Sequence, residues 1–181
     1  EADWSAPAFW SMGLLNEADW QGQWIGLDRA ASGDSETQWS RLAARYLRKE
    51  FALGREVKRA TVHIAGMGLY ELFINGQRIG DQVLAPAPTD YRKTILYNTY
   101  DVTPQLRKEN AIGVTLGNGR FYTMRQNYKP YKIPTFGYPK LRLNLIVEYM
   151  DGSKETIATN TSWKLTTEGA IRSEERRVGK E

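Results

Sequence analysis

The 181-residue sequence predicts an all-β fold, an antiparallel β-sandwich. Between residues 40 and 166, apolar and polar residues alternate with a period of two, as half-buried antiparallel strands require. Turn signals recur about every ten residues, which is typical of sandwiches. No segment of this region has the period of about 3.6 residues that indicates a helix.

The first predicted hairpin lies between residues 57 and 80. In VKRATVHIA (57–65) apolar residues alternate with polar ones, and His63 falls on the polar face. GLYELFINGQRIG (68–80) continues the alternation and contains Asn75-Gly76. Because Asn-Gly tolerates positive φ at both central positions, it is a strong signal for a two-residue hairpin turn.

Three further stretches predict the remaining strands. TILYNTYDV (94–102) and NAIGVTLGNG (110–119) alternate, and residues 141–159 form a second hairpin with its turn at Asp151-Gly152. Between the first two, Thr103 and Pro104 predict one short helical turn, with Thr103 as the cap and Pro104 at the first position.

The N-terminal end has a different composition. Residues 1–24 contain four of the six tryptophans. Residues 1 to about 15 contain enough apolar residues for one strand, but no partner strand precedes that strand in the sequence. An isolated strand would expose its edge and its aromatic side chains. We therefore predict that residues 1–19 are the end of a preceding immunoglobulin- or fibronectin-like domain and its linker, and that the sandwich domain spans residues 20–172.

Composition narrows the class of function. The chain has no cysteine, which excludes thiolate nucleophiles, disulfides and cysteine-zinc sites and fits a cytoplasmic, periplasmic or secreted bacterial protein. The net charge of +4 is mild and the basic residues are scattered, so we predict no nucleic-acid partner and no retention on single-stranded DNA. No apolar run of about 18 residues is present, and no membrane partner is predicted.

The residues that could carry chemistry predict no catalytic site. His63 is the single histidine and is interpreted as a solvated strand residue; one histidine cannot build a multi-histidine metal site, and a histidine-dependent triad has no support. Glycoside hydrolysis needs two carboxylates facing one sugar, and nothing in the spacing pairs any two of the acids. The candidate acids are Glu71, Asp81, Asp90, Asp101 and Glu148.

Two stretches could contact a ligand. GRFYTMRQNYKPYKIPTFGYPK (119–140) interleaves aromatic and basic residues, including Tyr122 and Tyr128, and suits a sugar or substrate cleft, single-stranded nucleic acid, or a loop folded onto the sandwich edge. In LAPAPTDYRK (84–93), Asp90-Tyr91-Arg92 brings together a carboxylate, a ring and a guanidinium. This second stretch could be a hydrogen-bonding sugar site or a structural crossover.

Several blocks in order resemble the N-terminal β-sandwich domain of bacterial α-L-rhamnosidases. They are WQGQWIG (20–26), YLRKEFAL (46–53), VKRATVHIAGMGLYELFINGQRIGDQVLAP (57–86), TDYRKTILYNTYDVT (89–103) and NAIGVTLGNGRFY (110–122). The resemblance implies a jelly-roll, galactose-binding-like sandwich within a multidomain inverting glycosidase that releases terminal L-rhamnose. It also implies that the catalytic residues lie in a downstream (α/α)6 barrel.

The same resemblance implies a sugar-binding candidate. A related domain is a calcium-dependent rhamnose-binding module that uses adjacent acidic and amide residues, and the nearest match here is Asp81-Gln82, with Asp81 as the metal ligand. Relatives often carry Gly-Trp where this chain has Ala87-Pro88, so a stacking ring is lost. The candidate sugar-binding residues are Asp81, Gln82, Asp90, Tyr91, Arg92, Tyr122 and Tyr128.

Two interpretations of function follow. In the first, the chain is a non-catalytic N-terminal domain of an α-L-rhamnosidase that acts as a scaffold or shapes substrate access, with rhamnose-containing glycans and the downstream barrel as partners. In the second, it is a stand-alone calcium-dependent rhamnose-binding module. No cofactor other than possible calcium is predicted.

The last ten residues, RSEERRVGKE, break the pattern that precedes them. This string can be written with codons of a common sequencing-library adapter read in frame. We therefore predict that residues 173–181 are a translated adapter on a gene fragment that is open at both ends; the alternative is a native solvated tail. The codons of the source gene at these positions distinguish the two.

Overall fold

The structure, a computed structural model, describes residues 5–8, 12–28, 42–122 and 135–171. Within these residues it consists of ten strands and two short 3-10 helices, at Glu17–Asp19 and Thr103–Gln105. The strands are β1 (Ile25–Gly26), β2 (Arg45–Ala52), β3 (Val57–Met67), β4 (Leu69–Ile74), β5 (Gln77–Ile79), β6 (Tyr97–Asp101), β7 (Glu109–Gly117), β8 (Lys140–Tyr149), β9 (Lys154–Ala158) and β10 (Lys164–Thr166).

The strands form two antiparallel sheets. Sheet A has the order β1-β8-β3-β6, with β9 also paired to β8. Sheet B has the order β10-β2-β7-β4-β5. Crossovers between the sheets, such as β3 to β4 and β7 to β8, make the chain a β-sandwich, which confirms the predicted fold class.

The core lies between the sheets because each strand points its apolar residues to one side. In β8, Leu141, Leu143, Leu145 and Val147 are all fully buried, and they alternate with Arg142, Asn144, Ile146 and Glu148. β7 and β3 repeat the pattern, so the apolar positions of both sheets meet in one cluster. Full burial of each such side chain contributes about 1.5–3 kcal/mol to the free energy of unfolding.

Both predicted hairpins are confirmed. Asn75 and Gly76 connect β4 to β5 with φ values of 52° and 81°, the positive values that the Asn-Gly turn predicts. The second hairpin joins β8 to β9, and Gly152 there has a φ of 81°. Local turn chemistry therefore sets the register of each hairpin.

The predicted helical turn forms, but its cap is assigned wrongly. Val102 precedes the 3-10 helix, Thr103 is its first residue and Pro104 its second. The Thr103 hydroxyl accepts a hydrogen bond from the Ala60 amide (2.8 Å) and donates one to Asp101 Oδ1 (2.6 Å). Thr103 therefore fastens the turn to β3 instead of capping the helix.

The described residues before residue 20 contain no strand. Residues 5–8 and 12–15 have no assigned secondary structure, and Glu17–Asp19 forms a 3-10 helix. Their assignment to a preceding domain stays a prediction, and residues 172–181 lie outside the described part of the chain. None of the helices that the structure describes is long and apolar enough to cross a membrane.

The Asn75 side chain gives a testable prediction about the first hairpin. Its amide donates to Gln105 O (2.8 Å) and Asn110 Oδ1 (2.9 Å), and its Oδ1 accepts from the Ala111 amide (2.9 Å). Because Asn75→Ala removes these bonds and places alanine at positive φ, we expect the free energy of unfolding, measured with urea, to decrease by about 2–4 kcal/mol.

Asn75→Gly is the matched control for that substitution. Glycine keeps the backbone conformation and loses only the amide contacts, so we expect it to be less destabilised than the alanine variant. Equal stability of the two variants would show that the positive φ contributes nothing.

Candidate functional site

The N-terminal segment, residues 12–24, covers part of the outer face of sheet A, the face that points away from sheet B. The Gly22 amide donates to Asn144 Oδ1 (2.8 Å), and Arg142 Nε donates to Gly22 O (2.7 Å). Asn144 Nδ2 in turn donates to Asp19 O (3.0 Å). Polar residues at alternate positions of β8 therefore bind the backbone of a segment about 120 residues earlier in the chain.

Gly22 is required by the closeness of this contact. It is buried, and a Cβ at this position would lie 2.5 Å from Leu143 O and 2.7 Å from Thr159 Oγ1. The Thr159 hydroxyl also donates to Gln23 O (2.7 Å). Only a residue without a side chain lets the segment approach the strands to hydrogen-bonding distance.

Aromatic and charged side chains fix the segment in place. The Trp20 and Tyr97 rings meet edge to face with their centroids 5.4 Å apart. The Arg142 guanidinium lies 5.1 Å from the Trp20 ring centroid and 2.9 Å from Glu17 Oε1. The Tyr97 hydroxyl accepts a hydrogen bond from the Leu14 amide (2.9 Å).

A recess of about 300 Å³ opens between this segment and the chain that leads into β6; we call it the outer recess. Its volume is at the lower end of the range for ligand sites. It is lined by Glu17, Trp20, Trp24, Ala65, Tyr91, Arg92, Lys93, Thr94, Ile95, Tyr97 and Arg142. It therefore combines aromatic rings, three cations and one carboxylate.

A tight turn at residues 90–94 positions two of the cations. The Lys93 and Thr94 amides both donate to Asp90 O (2.8 and 3.0 Å). Asp90 also binds the Arg92 guanidinium, with Oδ1 3.0 Å from Nε, and these bonds lower the pKa of the Asp90 carboxyl. The predicted grouping of Asp90, Tyr91 and Arg92 thus occurs, and Tyr91 and Arg92 line the outer recess.

The interpretation of His63 as a solvated residue is wrong. Its side chain is 4% exposed, its Nδ1 is 2.9 Å from Thr99 Oγ1, and its ring packs edge to face against Tyr97. His63 does lie on the polar face of β3, but that face is covered and not solvated. Burial lowers the pKa of His63 because it disfavours the charged imidazolium.

This burial predicts a pH dependence of stability. The folded-state pKa of His63 lies below the ordinary value of 6.5, so the unfolded chain binds more protons as the pH falls below that value. We expect the free energy of unfolding to be highest above that value and to decrease between about pH 7 and pH 5, measured by urea unfolding.

His63→Gln is the control, because glutamine cannot titrate in this interval. His63 is the single histidine, and the three carboxyls with shifted pKa values, Asp90, Asp101 and Asp151, titrate at lower pH since those values are lowered. An equally steep decrease in the variant would contradict the assignment to His63.

The aromatic rings of the loop between β7 and β8 pack on one another in its described part. Tyr91 meets Phe121 and Phe136 edge to face at 5.2 and 5.3 Å, and Tyr122 stacks on Tyr138 at 5.8 Å. These contacts favour the loop folded onto the sandwich edge. Tyr128 lies outside the described residues, and its role stays a prediction.

Asp81 and Gln82 lie away from the outer recess. Gln82 Oε1 accepts a hydrogen bond from the Tyr100 hydroxyl (2.6 Å), and the Tyr100 ring packs against the core between the sheets. Asp81 is exposed. Tyr97 and Tyr100 point to opposite faces of β6, so the structure does not bring the two groups of candidate residues together.

The surroundings of Asp81 do not fit a calcium site. Calcium takes six to eight oxygen ligands, whereas the described residues contain no group of three or more carboxylate or histidine side chains that could hold a metal ion. The Gln82 amide oxygen is already bound to Tyr100. The role of Asp81 as a metal ligand therefore stays a prediction without support from its neighbours.

The remaining candidate acids make local contacts. Glu71 lies 3.5 Å from Arg78 and Glu148 lies 3.4 Å from Lys154. Asp101 accepts hydrogen bonds from the Thr103 amide and hydroxyl, which lower its pKa. The outer recess holds a single carboxylate, Glu17, and that carboxylate is paired with Arg142.

A second recess, of about 640 Å³, lies on the outer face of sheet B. Its lining includes Tyr46, Phe73, Gly113 and Leu165. Arg48 and Lys164 are the charged residues in its lining, and no carboxylate lines it. It is an open apolar groove without paired acids.

Several residues of the outer recess are not among the residues predicted from the sequence. Trp20 and Trp24 have no predicted role, and Lys93, Tyr97 and Arg142 are not predicted site residues. One available signal was the polar pair Arg142 and Asn144 inside the apolar strand LRLNLIV, since polar side chains between leucines indicate a face that is either solvated or covered by polar backbone.

Two antiparallel sheets packed face to face define the chain as an all-β sandwich domain. Comparison with known proteins gives its family. The model of the family described as "Alpha-L-rhamnosidase N-terminal domain" matches residues 55–179, and the chain belongs to this family. The match extends into residues 173–181, which lie outside the described residues and whose non-native origin stays a prediction.

Individual relatives agree with this family. An α-L-rhamnosidase of Formosa agariphila is 36% identical over 186 residues, which cover 92% of this chain and 19% of that protein. The chain thus spans about a fifth or less of the length of the curated relatives it matches.

Solved structures show the same relation. The α-L-rhamnosidase from Dictyoglumus thermophilum is 42% identical with a TM-score of 0.72, over 85% of this chain and 17% of that one. The enzyme from Aspergillus terreus is 37% identical with a TM-score of 0.77, over 89% of this chain and 18% of that one. These proteins are full-length rhamnosidases in which the matching domain is a small part.

Proposed function

We propose that this chain is the N-terminal accessory domain of an α-L-rhamnosidase that hydrolyses terminal α-L-rhamnose from glycosides or polysaccharides. The observation that carries the proposal is the family match to the N-terminal domain, together with a length of about a fifth of the relatives. The partner of the domain is then a downstream catalytic barrel in the same polypeptide.

The chemistry of the two recesses supports a non-catalytic role. Inverting hydrolysis of a glycoside needs an acid and a base about 6.5–9.5 Å apart across the sugar. Glu17 is the one carboxylate of the outer recess, and the Arg142 guanidinium 2.9 Å away holds it. The groove on sheet B has no carboxylate in its lining.

The outer recess supports a role in substrate access. Trp20, Trp24 and Tyr97 offer aromatic surface next to polar groups, a combination that suits the apolar and hydroxylated faces of a pyranose. Tyr91 and Arg92 complete the wall from the turn before β6. We propose that the domain contributes a glycan-contacting surface to the rhamnosidase.

Turnover of an aryl α-L-rhamnoside tests the proposed division of roles. We expect no hydrolysis above buffer by the purified 181-residue chain, whereas the full-length product of the same gene should hydrolyse it with kcat in the ordinary range of about 1–1000 per second. Turnover by the 181-residue chain, or none by the full-length protein, would overturn the proposal.

A Trp24→Ala variant of the full-length protein tests substrate access. We expect KM for a rhamnose-bearing polysaccharide to rise several-fold, which corresponds to a loss of about 1 kcal/mol in binding free energy. KM for the aryl rhamnoside should stay unchanged, because only the polymer reaches the outer recess. A rise for both substrates would indicate a folding defect, and no rise for either would remove the recess from substrate binding.

The second candidate is a stand-alone calcium-dependent rhamnose-binding module. Calorimetry with L-rhamnose, with and without calcium, distinguishes the two. Gln82 Oε1 is bound to Tyr100, and the described residues contain no group of three or more Asp, Glu or His side chains that could hold a metal ion, so we expect no calcium-dependent heat. A saturable calcium-dependent signal that Asp81→Ala abolishes would favour the module.

A further inference from the structure

We propose that the outer recess binds a pyranose that carries a carboxylate, such as a hexuronate unit of a glycan. Binding of this ligand rests on the glycan-contacting role proposed above for the outer recess and does not require rhamnosidase activity. The shape of the recess and the arrangement of its charges favour such a ligand.

The recess has walls that suit one sugar ring. Trp20 is held by the edge-to-face contact with Tyr97 and by the Arg142 guanidinium, so its orientation is fixed before a ligand arrives. Trp24 lines the same recess, and its ring is half-buried. Preorganised aromatic walls lower the entropy cost of binding.

The charges of the recess favour an anion. Two of its three cations have carboxylate partners: Arg142 is paired with Glu17, and Arg92 with Asp90. Lys93 is exposed, and none of the ion pairs among the described residues includes it. The recess with its immediate neighbour Asp90 therefore carries one unbalanced positive charge, on Lys93.

A neutral deoxy sugar does not use that charge. Rhamnose has a methyl group at the position where a hexuronate has a carboxylate, so it can fill the recess but leaves the lysine unpaired. A hexuronate adds a charge-assisted hydrogen bond to Lys93, a kind of contact about twice as strong as a neutral one. The turn at residues 90–94 fixes the Lys93 backbone through the bonds to Asp90 O.

The test is titration of the 181-residue chain with methyl glucuronide and with methyl glucoside, followed by calorimetry and tryptophan fluorescence. At about 20 mM salt we expect the glucuronide to bind about tenfold more tightly, and the difference to shrink at about 300 mM salt because an exposed cation is screened. Equal affinity for the two sugars, or no binding of either, would overturn the proposal.

Two variants locate the site. Lys93→Gln should reduce the preference for the glucuronide to less than about twofold, while the control Lys164→Gln, on the opposite sheet, should leave it unchanged. An unchanged preference in Lys93→Gln rejects the recess as the site. Glucose 6-sulfate that binds as tightly as the glucuronide would reject a carboxylate-specific site, since the recess would then respond to charge alone.

Discussion

Replacing Leu143 by alanine is expected to lower the free energy of unfolding by about 2–5 kcal/mol, measured by urea denaturation. Leu143 is fully buried at the centre of β8, and its strand pairs with both β3 and β9. Truncation there removes apolar contacts and leaves a cavity that paired strands on both sides cannot fill by moving together. A loss of this size is a large part of the stability of an ordinary domain.

Leu96→Ala is the matched control for this substitution. It deletes the same atoms from a side chain that is 42% exposed, so we expect a cost below about 1 kcal/mol. If both variants lost the same stability, the cavity at residue 143 would not be the cause.

Gly22→Val is expected to detach the N-terminal segment from sheet A. The new Cβ would lie 2.5 Å from the backbone oxygen of Leu143, an atom that cannot move without disturbing β8. We expect a cost of about 1–3 kcal/mol and a red-shifted tryptophan fluorescence, since Trp20 would leave Tyr97 and enter water. Binding to the outer recess should be lost as well, because the segment forms one of its walls.

Gly54→Val is the control for this second substitution. A Cβ at Gly54 meets no atom within 4 Å, so the same change in residue type should leave both fluorescence and ligand binding unaltered. If Gly22→Val kept the native fluorescence and stability, the result would contradict the close contact between the N-terminal segment and β8.

These two substitutions separate the parts of the molecule that support the proposed function. The core around Leu143 holds the sheets together, while Gly22, Asn144 and Arg142 hold the segment that carries Trp20 and Trp24. The outer recess depends on both, because one wall belongs to the segment and the other to the turn before β6. The outer recess is thus built from the N-terminal segment and from the middle of the chain.

Two of the predicted sugar-binding residues, Tyr91 and Arg92, line the outer recess, and their role stays a prediction. They are predicted because a ring and a guanidinium lie together in a proline-rich stretch. Asp81 and Gln82, predicted as sugar-binding residues with them, lie on the other side of β6. Residues ten apart in a loop can face different sides of a sheet, and no local pattern shows which.

Arg45 is a second example of what a local pattern does not show. It is 1% exposed, with its guanidinium donating to Ala43 O (2.7 Å), although arginine is ordinarily found at the surface. It begins β2 on the same side of the strand as the core residue Leu47. The guanidinium also lies 3.5 Å from Leu27 O, a contact from before the strand that its residue type does not predict.

The strands, the two hairpins and the apolar faces were determined by the sequence itself. The alternation of apolar and polar residues and the Asn-Gly and Asp-Gly turns depend on interactions between residues a few positions apart. These elements can therefore be predicted from the local sequence. The burial of His63 and the outer recess were decided by tertiary structure. Both require residues 14–24 to bind strands more than 80 positions later, and such pairing depends on the packed sheets and not on any local period.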